Sequence, residues 1–376
     1  MLFGSKKKKE DSQSDSQQKN NDADQHLDAA TQQLAATTVT PAEGSAGPVD
    51  ISEPADSQPN LLLCPPAFDS VDGKPKCGFT TVGKPGLQLV DGDGTGFELR
   101  IGPDYKKHGK KAASLSHTYA PITMDIFKCT KATFNLATKL TLPPPPGGAD
   151  TPNTTGLPRR LIVNCIIPAD APPMLGGGGD GNCYQVFIVF GATTEKLAAW
   201  KAGGSAACEL FSRFNEHAPL GQLPTSGDLD IKERLKVLPK LDNMNSLGLP
   251  GWLTGYNGKP ALVTKSGSIY RGDDYLELGM NTFRFGARDA HARARLHVHV
   301  PHHRVSTRPP PPRPPAGFLT KKGMNYLLPR FAEFDFHAAM TVEGRDDSEL
   351  PEQTLCATRI RGVDITKIAV SHDFGE

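Results

Sequence analysis

The sequence predicts an α+β domain, a mainly antiparallel, curved β-sheet with few helices, preceded by a disordered tail. Three observations carry this expectation. Residues 161–167 and 184–190 are apolar almost throughout, the pattern of strands buried on both faces. Phe334, Phe336, Ala338, Met340 and Val342 alternate with Asp335, His337, Thr341 and Glu343, a period of two that a helical template scatters. Residues 1–60 are rich in Gln, Ser, Asp, Ala and Lys and nearly lack aromatics. Such a segment buries too little apolar surface to offset its ordering entropy.

Taken in order, the tail holds a short helix candidate at 27–34. Met1-Leu2-Phe3 stands ahead of four lysines, Lys6 to Lys9. The domain is expected over 77–370. Residues 97–101 alternate like a strand and stop at Gly102. Lys106, Lys107, Lys110 and Lys111 follow in a loop. A second strand is expected at 122–127, then a proline and glycine loop from Pro143. The Gly176–Gly179 stretch joins the two apolar strands as an antiparallel hairpin. Thr194 is placed as a helix cap. Gly203 and Gly204 interrupt that helix, which resumes through Ala207, Leu210, Phe211 and Phe214. A strand at 235–238 ends at Pro239. After the alternating strand, Pro351 opens a turn and 355–361 forms the last strand.

Residues 259–278 organise the chain. Leu262 and Val263 open a first strand-like run that Gly267 interrupts, and Gly272 and Asp273 supply a turn or bulge. Tyr275-Leu276-Glu277-Leu278 then alternates as a half-buried strand. This stretch resembles the "KPALLGK…YHRGDNYLEID" core of the C-terminal domain of the plant enhanced disease resistance 2 protein family. The matching residues include Lys259, Pro260, Tyr270, Arg271, Gly272, Tyr275 and Glu277. Other anchors keep the family's order. They are 97–102 with Tyr105, Lys110 and Lys111, then 124–127, 161–164, Arg213-Phe214, 234–239, and Glu349-Leu350-Pro351-Glu352. The resemblance covers most of 94–365. It implies a cytosolic or membrane-apposed site of action and no mechanism. The plant proteins place pleckstrin-homology and START-type lipid-binding domains before this one, where here only the tail is expected.

The totals narrow the classes of function. The net charge of +1 calls for no polyanion partner, so no nucleic acid is expected. Seven cysteines without a CxxC fit reduced, mostly buried thiols rather than a disulfide framework or zinc site. The start of the chain lacks a secretory apolar core, and no apolar run is long enough for a membrane span. The expected location is the cytoplasm, with peripheral membrane contact as an option and secretion excluded.

Residues 287–316 depart from the family pattern. They hold five of the eleven His, six Arg, seven Pro and one acid, a charge of +6 − 1 = +5. Such a stretch packs no core. Three readings stay open: a retained intron, a basic proline-rich loop able to dock as a polyproline helix, or a metal site at His297, His299, His302 and His303.

Other motifs weigh less. Asp91-Gly92-Asp93-Gly94-Thr95-Gly96 starts like a calcium loop but has Gly102 where a bidentate Glu is required. No nucleophile elbow or zinc-protease motif is present. The expectation is a non-enzymatic binding or regulatory module, without cofactor or metal. Its ligand is a lipid or anionic membrane surface touched by Lys106, Lys107, Lys110 and Lys111, joined by Lys321 and Lys322. The alternative is a protein–protein interaction module, and an uncharacterised enzyme comes third.

Overall fold

A computed structural model describes residues 74–78, 88–170, 181–222, 231–264, 266–284, 323 and 326–375. All of them lie in Gln58–Glu376, the second of the two units into which the chain divides. The expected tail, the Gly176–Gly179 stretch, the 287–316 insertion with its histidines, and Lys321 and Lys322 lie outside the described residues.

Strands β1 (Gln88–Asp91), β2 (Glu98–Arg100) and β3 (Lys111–Ala113) come first, with helix α1 (Tyr105–His108) between the last two. Then follow β4 (Ala120–Cys129), β5 (Arg160–Pro168) and β6 (Cys183–Gly191), and helices α2 (Thr194–Ala202) and α3 (Ala206–His217). Next are β7 (Gly221–Gln222), β8 (Leu235–Leu241), α4 (Gly251–Thr254), β9 (Ala261–Leu262), β10 (Gly267–Gly272) and β11 (Tyr275–Asn281). The chain closes with β12 (Asp335–Val342), β13 (Cys356–Arg361), α5 (Ile365–Ile368) and β14 (Val370–Ser371).

The strands divide between two sheets and a ribbon. One sheet has the order β1-β13-β12-β8-β9, the other β14-β4-β6-β5-β11-β10-β7, and β2 pairs with β3. Pairing is antiparallel except at β5–β11 and β4–β14. The α+β class with a mainly antiparallel sheet is therefore what the chain adopts, and the 161–167 and 184–190 runs form the expected antiparallel hairpin.

Period two explains the layers. Met124, Ile126, Val163, Ile167, Val186, Ile188 and Phe190 point from the seven-stranded sheet into one core with Val237, Leu241, Met340, Val342, Cys356 and Ile360 of the five-stranded sheet. The alternate residues of the seven-stranded sheet, Phe127, Ile162, Ile166, Phe187 and Val189, meet Ala132, Leu136, Ala137 and Leu140 of the segment after β4. On the far side of the five-stranded sheet, Phe97 and Leu99 pack on Leu238, Ala339 and Ala357. Every strand in the centre is thus covered on both faces, which is why the central strands carry few polar residues.

Three local expectations change, and the helix break holds. The cap of α2 is Thr193, whose side chain accepts from the Lys196 N–H, one residue earlier than expected. Ser205 restarts the helix after the glycine break by accepting from Cys208 N–H. β8 runs through Pro239 instead of ending there. The Pro239 carbonyl accepts from Gly258, away from β12, and β9 pairs only at Lys236 and Val237. The missing N–H therefore falls where β8 has no strand partner. Gly272 does not reach positive φ. A Cβ there would lie 2.1 Å from the Tyr275 ring, so glycine serves close approach.

The glycine-rich Asp91–Gly96 loop is a crossing, with Asp93 capping its turn by accepting from Thr95 N–H at 2.9 Å. A Cβ on Gly92 would lie 2.6 Å from Thr358 N and 2.8 Å from Ala357 C. Because those atoms are backbone of β13, Gly92→Ala forces a main-chain shift. Overpacking of this kind costs about 1–3 kcal/mol, and urea unfolding of the variant against wild type measures it.

Candidate functional site

The 259–278 stretch crosses from one sheet to the other. Ala261 and Leu262 pair with β8 in the five-stranded sheet, while 267–272 and 275–281 form a hairpin in the seven-stranded sheet. The family-motif residues consequently fall into separate places.

Glu277 faces the outer side of the seven-stranded sheet and is fully buried, not half-solvated as the alternation suggested. Its carboxylate accepts from Leu136 N at 3.1 Å, Ala137 N at 2.8 Å and Asn164 Nδ2 at 3.0 Å. Asn164 accepts in turn from Gln185, which also holds Thr133. Burial raises the Glu277 pKa, and the bonds from Ala137, Asn164 and Leu136 pull it back only in part. This ladder anchors the segment that covers the sheet. Tyr270 sits opposite Glu277 in the register, and its phenol is pushed up by burial and by that carboxylate.

At the hairpin tip, Asp274 holds buried Arg159 at 2.8 Å and also accepts from Asn153. Arg271 donates to the Asn215 carbonyl at the end of α3. Together with Gly272 and Tyr275 they line a polar cleft of about 440 Å³.

Glu352 lies elsewhere, in a buried ionic network where β8, β12 and the β2–β3 ribbon meet. Lys236 Nζ is 2.6 Å from Glu352 and 3.8 Å from Glu343. Arg100 reaches Glu343 at 2.7 Å and the Gly344 carbonyl at 3.0 Å. Arg234 and Arg213 both bind Glu349, at 2.6 and 2.5 Å. Burial depresses the Lys236 pKa against the pull of Glu352. Burial works against an ionised Glu349 too, yet bonds from Arg345 N–H, Arg213, Arg234 and Asp346 N–H prevail and hold it at about 2. Pro260 lines a cleft of about 210 Å³ beside this network, Lys259 is exposed next to it, and Pro351 is exposed just ahead of Glu352.

The four lysines stand on the ribbon and on α1, a short helix where a loop was expected. Lys106 pairs with Asp346 at 3.2 Å and Lys107 with Asp104 at 2.7 Å. Lys110 and Lys111 are exposed at the start of β3.

A feature that no sequence pattern announced lies between the sheets. A cavity of about 90 Å³ is lined by Val163, Cys165, Val186, Val237, Ala338 and Met340, among others of apolar character. Leu327, Phe331, Phe334, Val363 and Ile365 also line it. Phe331 contacts Phe334 and Phe336 with ring centroids 5.7 and 5.4 Å apart. The ribbon packs on the opposite face of the five-stranded sheet, so its lysines do not rim this cavity. Sequence reasoning also missed Lys236, Glu343 and Arg234 as a cluster. The available signal was a lone lysine inside the apolar 235–238 run. Among the described residues no group of His, Cys, Asp or Glu is arranged to hold a metal.

The architecture is a two-sheet α+β domain with an apolar slot between the sheets and a salt-bridged edge. Residues 90–300 and 316–364 match the family model "Protein ENHANCED DISEASE RESISTANCE 2, C-terminal", and the chain belongs to that family. Neither the curated proteins nor the solved structures hold a match to it. Among the described residues, no helix is long and apolar enough to cross a membrane.

Glu349 makes a prediction about acid. Its folded pKa lies below its ordinary value of 4.5, so its stabilisation is complete above that value and is lost as pH falls toward 2. Unfolding midpoints measured from pH 6 to 2.5 should fall for wild type. Glu349→Gln should start lower and show a shallower fall.

Proposed function

We propose that this domain is a non-enzymatic binding module that holds the apolar part of a lipid between its two sheets. The intersheet cavity carries the reading. Packed interiors leave few voids larger than a water molecule. An idle void of about 90 Å³ costs on the order of 2 kcal/mol. Each methylene group buried there returns about 0.8 kcal/mol. The lining offers side chains that can move aside, Met124, Met280 and Met340 among them. A lipid fits this chemistry better than a polar metabolite does, since the lining supplies no charged partner.

The ribbon has a separate part. Lys110 and Lys111 attract an anionic surface, each worth about 1 kcal/mol there, while Lys106 and Lys107 are shared with carboxylates. The domain then works at the cytoplasmic face of membranes, drawn by charge on one side and loaded with lipid on the other.

The test uses the full chain, extracted after purification and examined by mass spectrometry. A near-stoichiometric lipid is expected. Ala338→Phe places a ring in the cavity and should lower the co-purified lipid at least tenfold while the protein stays folded by circular dichroism. Binding to phosphatidylserine vesicles should weaken with salt and with Lys110→Glu/Lys111→Glu. Absence of lipid in wild type, with vesicle binding that ignores lipid charge, contradicts the proposal and favours a protein-interaction module.

A further inference from the structure

The strands β4 and β6 bring two cysteines face to face. Cys129 and Cys183 are register partners at the ends of these antiparallel strands. Both are buried, at 2% and 0% exposure, and both belong to the cluster on the outer face of the seven-stranded sheet. Main-chain directions fix the kind of pair. Lys128 turns its carbonyl outward to accept from His372 N–H at 3.1 Å, and Asn182 turns its carbonyl to Ala169 N–H at 2.9 Å. Along an antiparallel strand these directions alternate, so Cys129 and Cys183 point their main-chain groups at each other. Such a hydrogen-bonded pair has its Cα atoms about 5.5 Å apart, inside the range that disulfides span. Partners in register also project to the same face.

An approach exists as well. Cys129 lines a cleft of about 220 Å³ together with Lys128, His372 and Asp373. The last residues of the chain form one wall of it. Asp373 accepts from Thr130 N–H at 2.8 Å, and Phe374 stacks edge-on against Phe127 at 4.9 Å. A small oxidant entering this cleft meets Cys129 first.

We infer that Cys129 and Cys183 are a thiol pair that peroxide converts to a cross-strand disulfide, a redox site independent of lipid binding. The Cys129 thiolate attacks hydrogen peroxide. An S–O bond forms, the O–O bond breaks and one water leaves after proton uptake, giving a sulfenic acid. The Cys183 sulfur then attacks that sulfur. The S–S bond forms, the S–O bond breaks, and a second water carries away the oxygen and the Cys183 proton. Two thiols give up two electrons and one peroxide becomes two waters. A dithiol reductant reverses the bond by exchange.

The experiment treats the full chain with equimolar hydrogen peroxide, blocks remaining thiols with iodoacetamide in denaturant, and maps peptides without reduction. A 129–183 cross-linked peptide is expected in most molecules. It should vanish with dithiothreitol and be absent in Cys129→Ser. Cys77, in the same cluster, is the competing partner, so the folded Cys77→Ser variant should retain the cross-link. Recovery of both cysteines alkylated, over-oxidation of Cys129 without cross-linking, or a bond from either cysteine to Cys77 overturns the inference.

Discussion

Buried charge at the edge of the five-stranded sheet is the constraint on which the rest depends. Lys236, Glu343, Glu352, Arg234 and Glu349 all have side chains under a tenth exposed. Charges so placed are tolerated only in mutual contact, and loss of one partner costs about 3–5 kcal/mol. The partners come from β8 and the residue before it, the residue after β12 and the loop before β13, with Arg100 from the ribbon and Arg213 from α3. Their pairing therefore sets how the ribbon sits on the sheet and how α3 meets its edge. Glu277 plays the matching part on the other sheet, tying the covering segment to β11 through two main-chain amides.

These two anchors give the 259–278 stretch its significance. It leaves the five-stranded sheet at Leu262, enters the seven-stranded sheet at Gly267 and delivers Glu277 to its buried place. The sheets are thus joined by a short covalent path, and the cavity lies between them. The cavity and the ribbon lie on opposite faces of the five-stranded sheet, so each can be altered without the other.

Much of the secondary structure was legible, because the strongest signals are local. The 161–167 and 184–190 runs and the Phe334–Val342 alternation became strands, and the glycine pair broke the helix where expected. Errors arose where long-range contacts decide. Glu277 reads as solvent-facing from its neighbours, and only the segment around Leu136 buries it. Pro239 reads as a strand end, and only the short reach of β9 makes it harmless. The family motif was visible, yet its division between two sheets was not, since strand order is not written in a linear pattern. The ionic network was present as scattered single charges, and the cavity had no trace, because a void is a property of packing between residues far apart in the chain.

The central claim is that lipid occupies the space between the sheets. Soaking crystals of the full chain with a fatty acid brominated along its chain and mapping the anomalous signal tests it directly. Bromine between Met340 and Val186, close to Phe331, is the predicted result. Bromine confined to the outer surface, with the intersheet space unchanged, would contradict it.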